Sequence, residues 1–212
     1  MNAPRPHVRP PAGTFAGPLL ALCAALALCA PAAAEDCAAR FARLTLHWME
    51  NPLPGVAHIV TEAKGQPRTE NDMLFAGPGH YMVKMTEPAG AWYLTHGGAT
   101  HQSDDGGKSW KKLYAFNQEE TAAAGLATVR QQVSTVRNAR CGEAEFGGET
   151  VDTLEAEMTN TVNATFEIRT KYWVRRADER AVRTETLMTG LGPETLTVQE
   201  WKAAPDLTLP VP

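Results

Sequence analysis

The chain has 212 residues, of which 43% are hydrophobic, and it carries 20 Lys and Arg residues against 24 Asp and Glu residues, for a net charge of −4. Acidic and basic residues are mixed along the sequence and form no basic stripe, which argues against a nucleic-acid partner. The length corresponds to one domain that is large enough to bury a core.

The first 34 residues have the pattern of a secretory signal. Arg5 and Arg9 precede a short apolar run at residues 19–30, and three alanines ending at Ala34 have the small-residue form that signal peptidase cleaves. We expect cleavage near Ala34 and export to the periplasm or beyond the cell. The remaining residues, 35–212, would form a single domain of net charge −6, because the leader removes two arginines and no acid. No other apolar run reaches membrane-spanning length, so we expect no transmembrane segment in the mature chain.

Two of the four cysteines, Cys37 and Cys141, lie outside the leader. Cys23 and Cys29 lie within it, and leucine precedes each, whereas a lipid-modified leader carries a small residue at that position. An exported chain with two cysteines most simply forms one disulfide, here between positions 104 residues apart. A redox or metal-binding pair is the alternative, but neither cysteine has a Cys-x-x-Cys context.

The first element after the leader is a helix over residues 37–50. Phe41, Leu44 and Trp48 fall on one face, and Asp36 is a suitable N-cap. The Pro- and Gly-containing stretch 51–55 ends this helix. Short strands separated by Gly- and Pro-rich turns then predict an antiparallel meander over residues 56–63, 68–75, 80–86, 92–95, 100–103 and 109–114.

A second helix is predicted over residues 119–138, because Leu126, Val129, Val133 and Val136 recur at spacings of three and four. Strands resume after it, over residues 140–146, 150–159, 165–175, 181–189 and 194–201. In the third of these, one face is predicted to carry Phe166, Ile168, Thr170, Tyr172 and Val174, and the other face the charged residues between them. An order of helix, strands, helix, strands favours an α+β fold: one large curved antiparallel sheet, an incomplete β-barrel, with both helices on its concave face.

This order resembles that of the LolA/LolB-like superfamily of periplasmic lipoprotein carriers. The segments that carry the resemblance are 148–152 (GETVD), 172–174 (YWV) and 183–185 (RTE). The resemblance implies a half-barrel covered by helices, an apolar cavity that holds acyl chains, and no cofactor. A disulfide from the first helix is not a feature of that resemblance, so we expect a general apolar-ligand role rather than lipoprotein transfer itself.

Large ligand cavities form where a sheet curls too widely for its own side chains to fill. Apolar residues on the predicted strand faces are therefore candidates for a cavity lining, namely Val83, Met85, Leu94, Met158, Phe166, Ile168 and Leu196. The alternative is that these residues form a filled core under the helices, since buried apolar residues mostly serve packing.

Two patterns suggest chemistry instead of binding. Residues 103–110 read Ser-x-Asp-x-Gly-x-Ser-Trp, like the Asp-box hairpin of sialidases, but one copy in a chain of this length does not make a propeller, and we interpret it as a turn. His80, His96 and His101 lie in neighbouring predicted strands, but their spacing is not that of a recognisable metal site.

No acid pair has the placement that glycoside hydrolysis needs, and no Gly-x-Ser-x-Gly elbow is present. We therefore expect a non-enzymatic exported protein without metal or cofactor that binds a lipid or another apolar small molecule. The alternative is a structural or protein-interaction module of the cell envelope with a filled core, whose partner would be an envelope protein. A hydrolase is the third hypothesis.

Overall fold

The computed structural model describes residues 35–212, and Asp36–Pro212 forms one compact unit. The helices of this region are α1 (Cys37–Glu50) and α2 (Gln118–Val133). Its strands are β1 (Gly55–Ala63), β2 (Thr69–Gly77), β3 (His80–Glu87), β4 (Ala89–His96), β5 (Ala99–Ser103), β6 (Lys111–Ala115), β7 (Arg137–Phe146), β8 (Glu149–Asn160), β9 (Phe166–Arg175), β10 (Arg180–Thr189) and β11 (Thr195–Ala203). Neither helix is long and apolar enough to cross a membrane. The leader expected at residues 1–34 lies outside the described residues.

The strands form one antiparallel sheet in the order β6-β5-β4-β3-β2-β1-β11-β10-β9-β8-β7. Each strand pairs with its neighbour in sequence, and β1 pairs with β11 to join the two meanders. Strands β6 and β7 remain as unpaired edges, so the sheet does not close into a barrel. The predicted fold class, an open antiparallel sheet with two helices, is confirmed.

Helix α1 has the bounds and the buried face that its sequence predicts. The Asp36 carboxylate caps it by accepting a hydrogen bond from the Ala39 N–H at 2.8 Å. Phe41 and Leu44 are fully buried, and the Phe41 ring stacks on Tyr172 of β9 with centroids 4.9 Å apart. Trp48 meets the same tyrosine edge-on at 4.8 Å. Helix α1 is therefore fixed to the sheet through one stripe of aromatic and aliphatic side chains.

Polar contacts and a covalent bond hold α1 at the same place. The predicted disulfide between Cys37 and Cys141 is present and joins the first residue of α1 to β7. Arg40 donates to the half-buried Asp152 carboxylate at 2.7 Å. Burial alone would raise the pKa of Asp152, but hydrogen bonds from Arg176 and Arg40 outweigh it and lower the pKa. Asp152 is therefore charged at neutral pH and pairs with Arg40 of the helix and with Arg176 of the turn between β9 and β10.

Helix α2 is shorter than predicted, because it ends at Val133 and not at residue 138. The Ser134 hydroxyl donates to the Gln131 carbonyl and the Thr135 hydroxyl to the Gln132 carbonyl, so these side chains satisfy groups that a further turn of helix would have used. Val136 still packs against the core, from outside the helix. The apolar spacing thus continued past the true end of α2.

The contacts of α2 require the sheet to curl towards it. Gln118 Nε2 donates to the Pro78 carbonyl between β2 and β3, and Gln131 Nε2 donates to the Thr159 carbonyl of β8, both at 3.3 Å. Across a flat sheet with this register, those two carbonyls would lie roughly 45–50 Å apart. The two glutamines are separated by only about 20 Å of helix, and their side chains add a few ångströms at each end. The sheet is therefore concave on the side of the helices.

We predict that the double variant Cys37→Ser/Cys141→Ser is less stable than the parent by roughly 2–4 kcal/mol, because the bond closes a long loop in the unfolded chain. Denaturant unfolding at neutral pH measures the difference. Reduction of the parent protein should give the same loss, and reduction of the double variant should change nothing. A loss below about 0.5 kcal/mol would mean that the noncovalent contacts of α1 hold it without help from the disulfide.

Candidate ligand-binding face

The two faces of the central strands differ in chemistry. Residues paired directly across an antiparallel sheet lie on the same face, and Tyr172, which packs on α1, identifies the concave one. Following the register from Tyr172 through β10, β11, β1, β2 and β3 shows that no charged side chain occupies the concave face of these five strands. Its members are Thr184, Thr186, Met188, Thr195, Thr197, Gln199, Trp201, Ala57, Ile59, Thr61, Ala63, Thr69, Asn71, Met73, Phe75, Tyr81, Val83 and Met85.

The opposite, convex face of the same strands carries their charged side chains, together with His58. The charged residues include Glu62, Glu70, Asp72, Lys84, Arg183, Glu185, Glu200 and Lys202. Many of these pair with one another: His58 Nδ1 lies 2.9 Å from Asp72 Oδ1, and Arg183 donates to Glu200 at 2.6 Å. Charged side chains favour water, so the charged part of the convex face is in contact with solvent. Met82 and Leu94, on the convex face of β3 and β4, are buried instead.

The concave face has a filled part and a more accessible part. Under the helices, Leu154 and Val174 of β8 and β9 are fully buried and form one core with Phe41, Leu44 and Val133. On β1–β3, β10 and β11, the larger side chains of the concave face are only half-buried. The helices pack mainly on β7, β8 and β9 and leave this second part less covered. We call the concave face of β1–β3, β10 and β11 the open floor.

The predicted cavity residues are divided between these environments. Val83 and Met85 lie on the open floor. Met158 and Ile168 share the concave face, but they are 4% and 7% exposed within the core under the helices. Phe166 is half-buried and packs against that core. The structure therefore places two of the seven candidates on the open floor.

Leu94 and Leu196 lie on the convex face, outside the open floor. Leu94 pairs with Met82, whereas the concave partner of Val83 is Tyr93. Leu196 pairs with Leu187, beside a surface depression of about 320 Å³ that is otherwise lined by charged residues. The alternation expected within β3, β9 and β11 agrees with the register, but a face can be carried from one strand to the next only when the register is known.

Several residues of the open floor were missed in the sequence. The larger ones are Ile59, Met73, Phe75, Tyr81, Met188 and Trp201. In β2 the apolar residues Met73, Leu74 and Phe75 are consecutive, so the sequence gives no alternation that would assign a face. A signal was present in β11, where Trp201 is the one aromatic residue of the strand.

The three histidines noted in the sequence lie on neighbouring strands: His80 begins β3, His96 ends β4 and His101 lies in β5. The His80 and His96 rings lie with centroids 4.5 Å apart, and His101 pairs with Leu94. The buried His101 Nδ1 has no hydrogen-bond partner in the part of the chain that is described. Nowhere in residues 35–212 do three or more His, Cys, Asp or Glu side chains converge as a metal site would require.

The turn at residues 103–110 bonds mainly within itself. The exposed Asp105 carboxylate accepts from the Ser109 N–H at 2.9 Å and from the Lys108 N–H at 3.0 Å. The Ser103 hydroxyl donates to the same carboxylate at 2.8 Å. Hydrogen bonds from Ser109, Ser103 and Lys108 together hold the pKa of Asp105 well below its ordinary value. This bonding gives the motif a structural role in the hairpin.

Comparison with known proteins finds likeness in solved structures alone. No protein-family model and no curated protein matches the chain. Its structure is similar to a LolA superfamily protein from Nitrosomonas europaea, with a TM-score of 0.34 and 12% identity over 80% of this chain and 94% of the other. It is also similar to an outer membrane lipoprotein-sorting protein domain from Vibrio parahaemolyticus, with a TM-score of 0.33 and 13% identity over 80% of this chain and 93% of the other.

We predict that Asp105→Ala lowers the melting temperature by a few degrees and that Asp104→Ala leaves it nearly unchanged, because, of these two carboxylates, only that of Asp105 accepts backbone hydrogen bonds of the turn. Thermal unfolding followed by circular dichroism measures both. Since the folded pKa of Asp105 is depressed, its contribution is present above the unfolded pKa of about 3.9 and is lost as the pH falls through the folded pKa. Equal melting temperatures for the two variants at neutral pH would show that the carboxylate is dispensable.

Proposed function

We propose that this protein is a non-enzymatic binding protein that holds a lipid or another apolar ligand on its open floor. The observation that carries the proposal is the absence of charged side chains from the concave face of five adjacent strands whose convex faces are highly charged. A face that only had to meet water would not exclude charge so completely. Because the helices pack mainly elsewhere, a filled core does not account for this exclusion on the floor.

The side chains of the floor fit a ligand of variable shape. Met73, Met85 and Met188 are unbranched and flexible, and Phe75 and Trp201 add large apolar surfaces 6.5 Å apart between ring centroids. Methionine and aromatic residues are common in pockets that adapt to apolar ligands. They remain half-buried in this protein, so a ligand could remove further apolar area from water.

The proposed site of action is the periplasm or the exterior of the cell. The disulfide between Cys37 and Cys141 is a bond that persists in oxidising compartments. Together with the leader pattern of residues 1–34, it supports export with cleavage near Ala34.

A protein-interaction role is the second candidate. Edge strand β6 is exposed throughout, with Leu113 at 41% and Tyr114 at 58% exposure. An open strand edge with exposed apolar residues can accept a strand from another protein. This role would leave the uncharged floor without an explanation, and for that reason we favour ligand binding.

Binding of the neutral apolar fluorophore N-phenyl-1-naphthylamine tests the proposal. We predict that the mature protein enhances its fluorescence and that Val83→Lys weakens binding about tenfold, because the new charge would lose water to the ligand. Val198→Lys is the matched control, since Val198 is also a half-buried strand valine but lies on the convex face.

Circular dichroism and unfolding would first establish that both variants are folded. Enhanced fluorescence that is lost in Val83→Lys and retained in Val198→Lys supports binding on the floor. No enhancement with the parent protein, or equal losses in the two variants, would contradict it.

A further inference from the structure

A row of threonines crosses the concave face in register. Direct pairing joins Thr170 to Thr186, Thr186 to Thr197, Thr197 to Thr61 and Thr61 to Thr69, on the five adjacent strands β9, β10, β11, β1 and β2. The next row, two residues further along each strand, contains the polar residues Thr184, Gln199 and Asn71, with Ile59 between the last two. We call the five threonines and these three polar residues the polar band.

The polar band has unused hydrogen-bonding capacity. Thr170 is buried, and its hydroxyl lies 3.3 Å from that of Thr186. The hydroxyls of Thr61, Thr69 and Thr197 have no hydrogen-bond partner within residues 35–212, and these three residues are half-buried. The three hydroxyl oxygens are also not fully buried. Within residues 35–212, the side-chain atom that is both buried and without a hydrogen-bond partner is His101 Nδ1. A hydroxyl can donate one hydrogen bond and accept others.

Apolar side chains lie next to the polar band on the same face. The adjoining row on one side of the band consists of Trp201, Ala57, Met73 and Val83, and the row beyond it contains Phe75 and Tyr81. On the other side of the band are Met188 and Ala63. The floor thus places neutral hydrogen-bonding groups beside an apolar surface and offers no cation to neutralise an acidic ligand.

We propose that the floor selects ester-linked acyl compounds over free fatty acids, with the acyl chain on the apolar rows and the neutral ester and its hydroxyl-bearing group on the polar band. This inference rests on the proposed function and specifies the ligand's polar part. An ester oxygen accepts hydrogen bonds from threonine hydroxyls without carrying charge. An ionised carboxylate would lose water on the floor without meeting a positive partner, and that desolvation is unfavourable.

The competing explanation is that the row only stabilises the sheet, since threonine favours strands and Thr–Thr pairs contribute to sheet stability. Thr61→Val/Thr197→Val separates the two explanations, because valine keeps the shape and the strand preference but removes both hydroxyls. The matched control is Thr153→Val/Thr189→Val, which makes the same changes at half-buried positions on the convex face.

The experiment measures displacement of N-phenyl-1-naphthylamine at pH 7.4 by monolauroylglycerol and by laurate, which share a twelve-carbon acyl chain. We expect the parent to bind the monoester at least about tenfold more tightly than laurate. In Thr61→Val/Thr197→Val the monoester should weaken about tenfold and laurate should change little, while the control variant should match the parent.

The outcomes distinguish this inference from the function on which it rests. If the fluorophore binds and laurate displaces it as well as the monoester does, ligand binding stands and the ester preference is overturned. If the threonine variant loses stability but keeps the parent's preference, the row is a sheet-stabilising device and the inference is overturned. If neither the fluorophore nor either lipid binds, the proposed function fails and this inference fails with it.

Discussion

Two short helices cannot cover one face of an eleven-stranded sheet, and the rest of the structure follows from this limit. Helices of 14 and 16 residues are about 21 and 24 Å long and about 10 Å wide, whereas eleven strands extend across roughly 50 Å. The helices therefore cover about a third of the concave face. Helix α1 is fixed over β7–β9 by the Phe41–Tyr172 stack and the Cys37–Cys141 bond, and the remaining strands curl around the space that is left. Packing against α1 fills the part of the concave face on β8 and β9, and the open floor on the other strands stays only partly covered.

The chemistry of the uncovered strands agrees with this division. If the floor met only water, alternation in β1, β2, β10 and β11 would be expected to place some charges on both faces. All of their charged side chains in the aligned positions are on the convex face instead, where ion pairs such as Arg183–Glu200 hold them. The floor keeps apolar and neutral polar groups, and its threonine row divides the apolar surface. This division agrees with the proposed role of the floor as a binding surface for neutral amphiphiles, with the core under the helices supporting it.

Local features of this fold could be predicted from the sequence, and relations between strands could not. Helix α1, its Asp36 cap and its buried face followed from spacing, and every strand was expected within a few residues of its place. The end of α2 was wrong because Val136 continues the apolar spacing although it packs from outside the helix. The sequence offered Val83, Met85, Leu94 and Leu196 alike as cavity candidates. Only the register shows that the first two share the concave face and the last two the convex face, since bulges and turns decide how the faces of neighbouring strands match. The uncharged floor and its threonine row emerge only when the register aligns five strands.

Quenching of tryptophan fluorescence by a brominated acyl ester tests the central claim most directly, because bromine quenches only at close range. Trp201 lies on the floor and Trp173 on the convex face of β9. The account predicts that the brominated ester quenches the parent protein and Trp173→Phe, and that Trp201→Phe loses most of the quenching while it still binds N-phenyl-1-naphthylamine. Quenching that persists in Trp201→Phe and disappears in Trp173→Phe would place the ligand on the convex face and contradict the account.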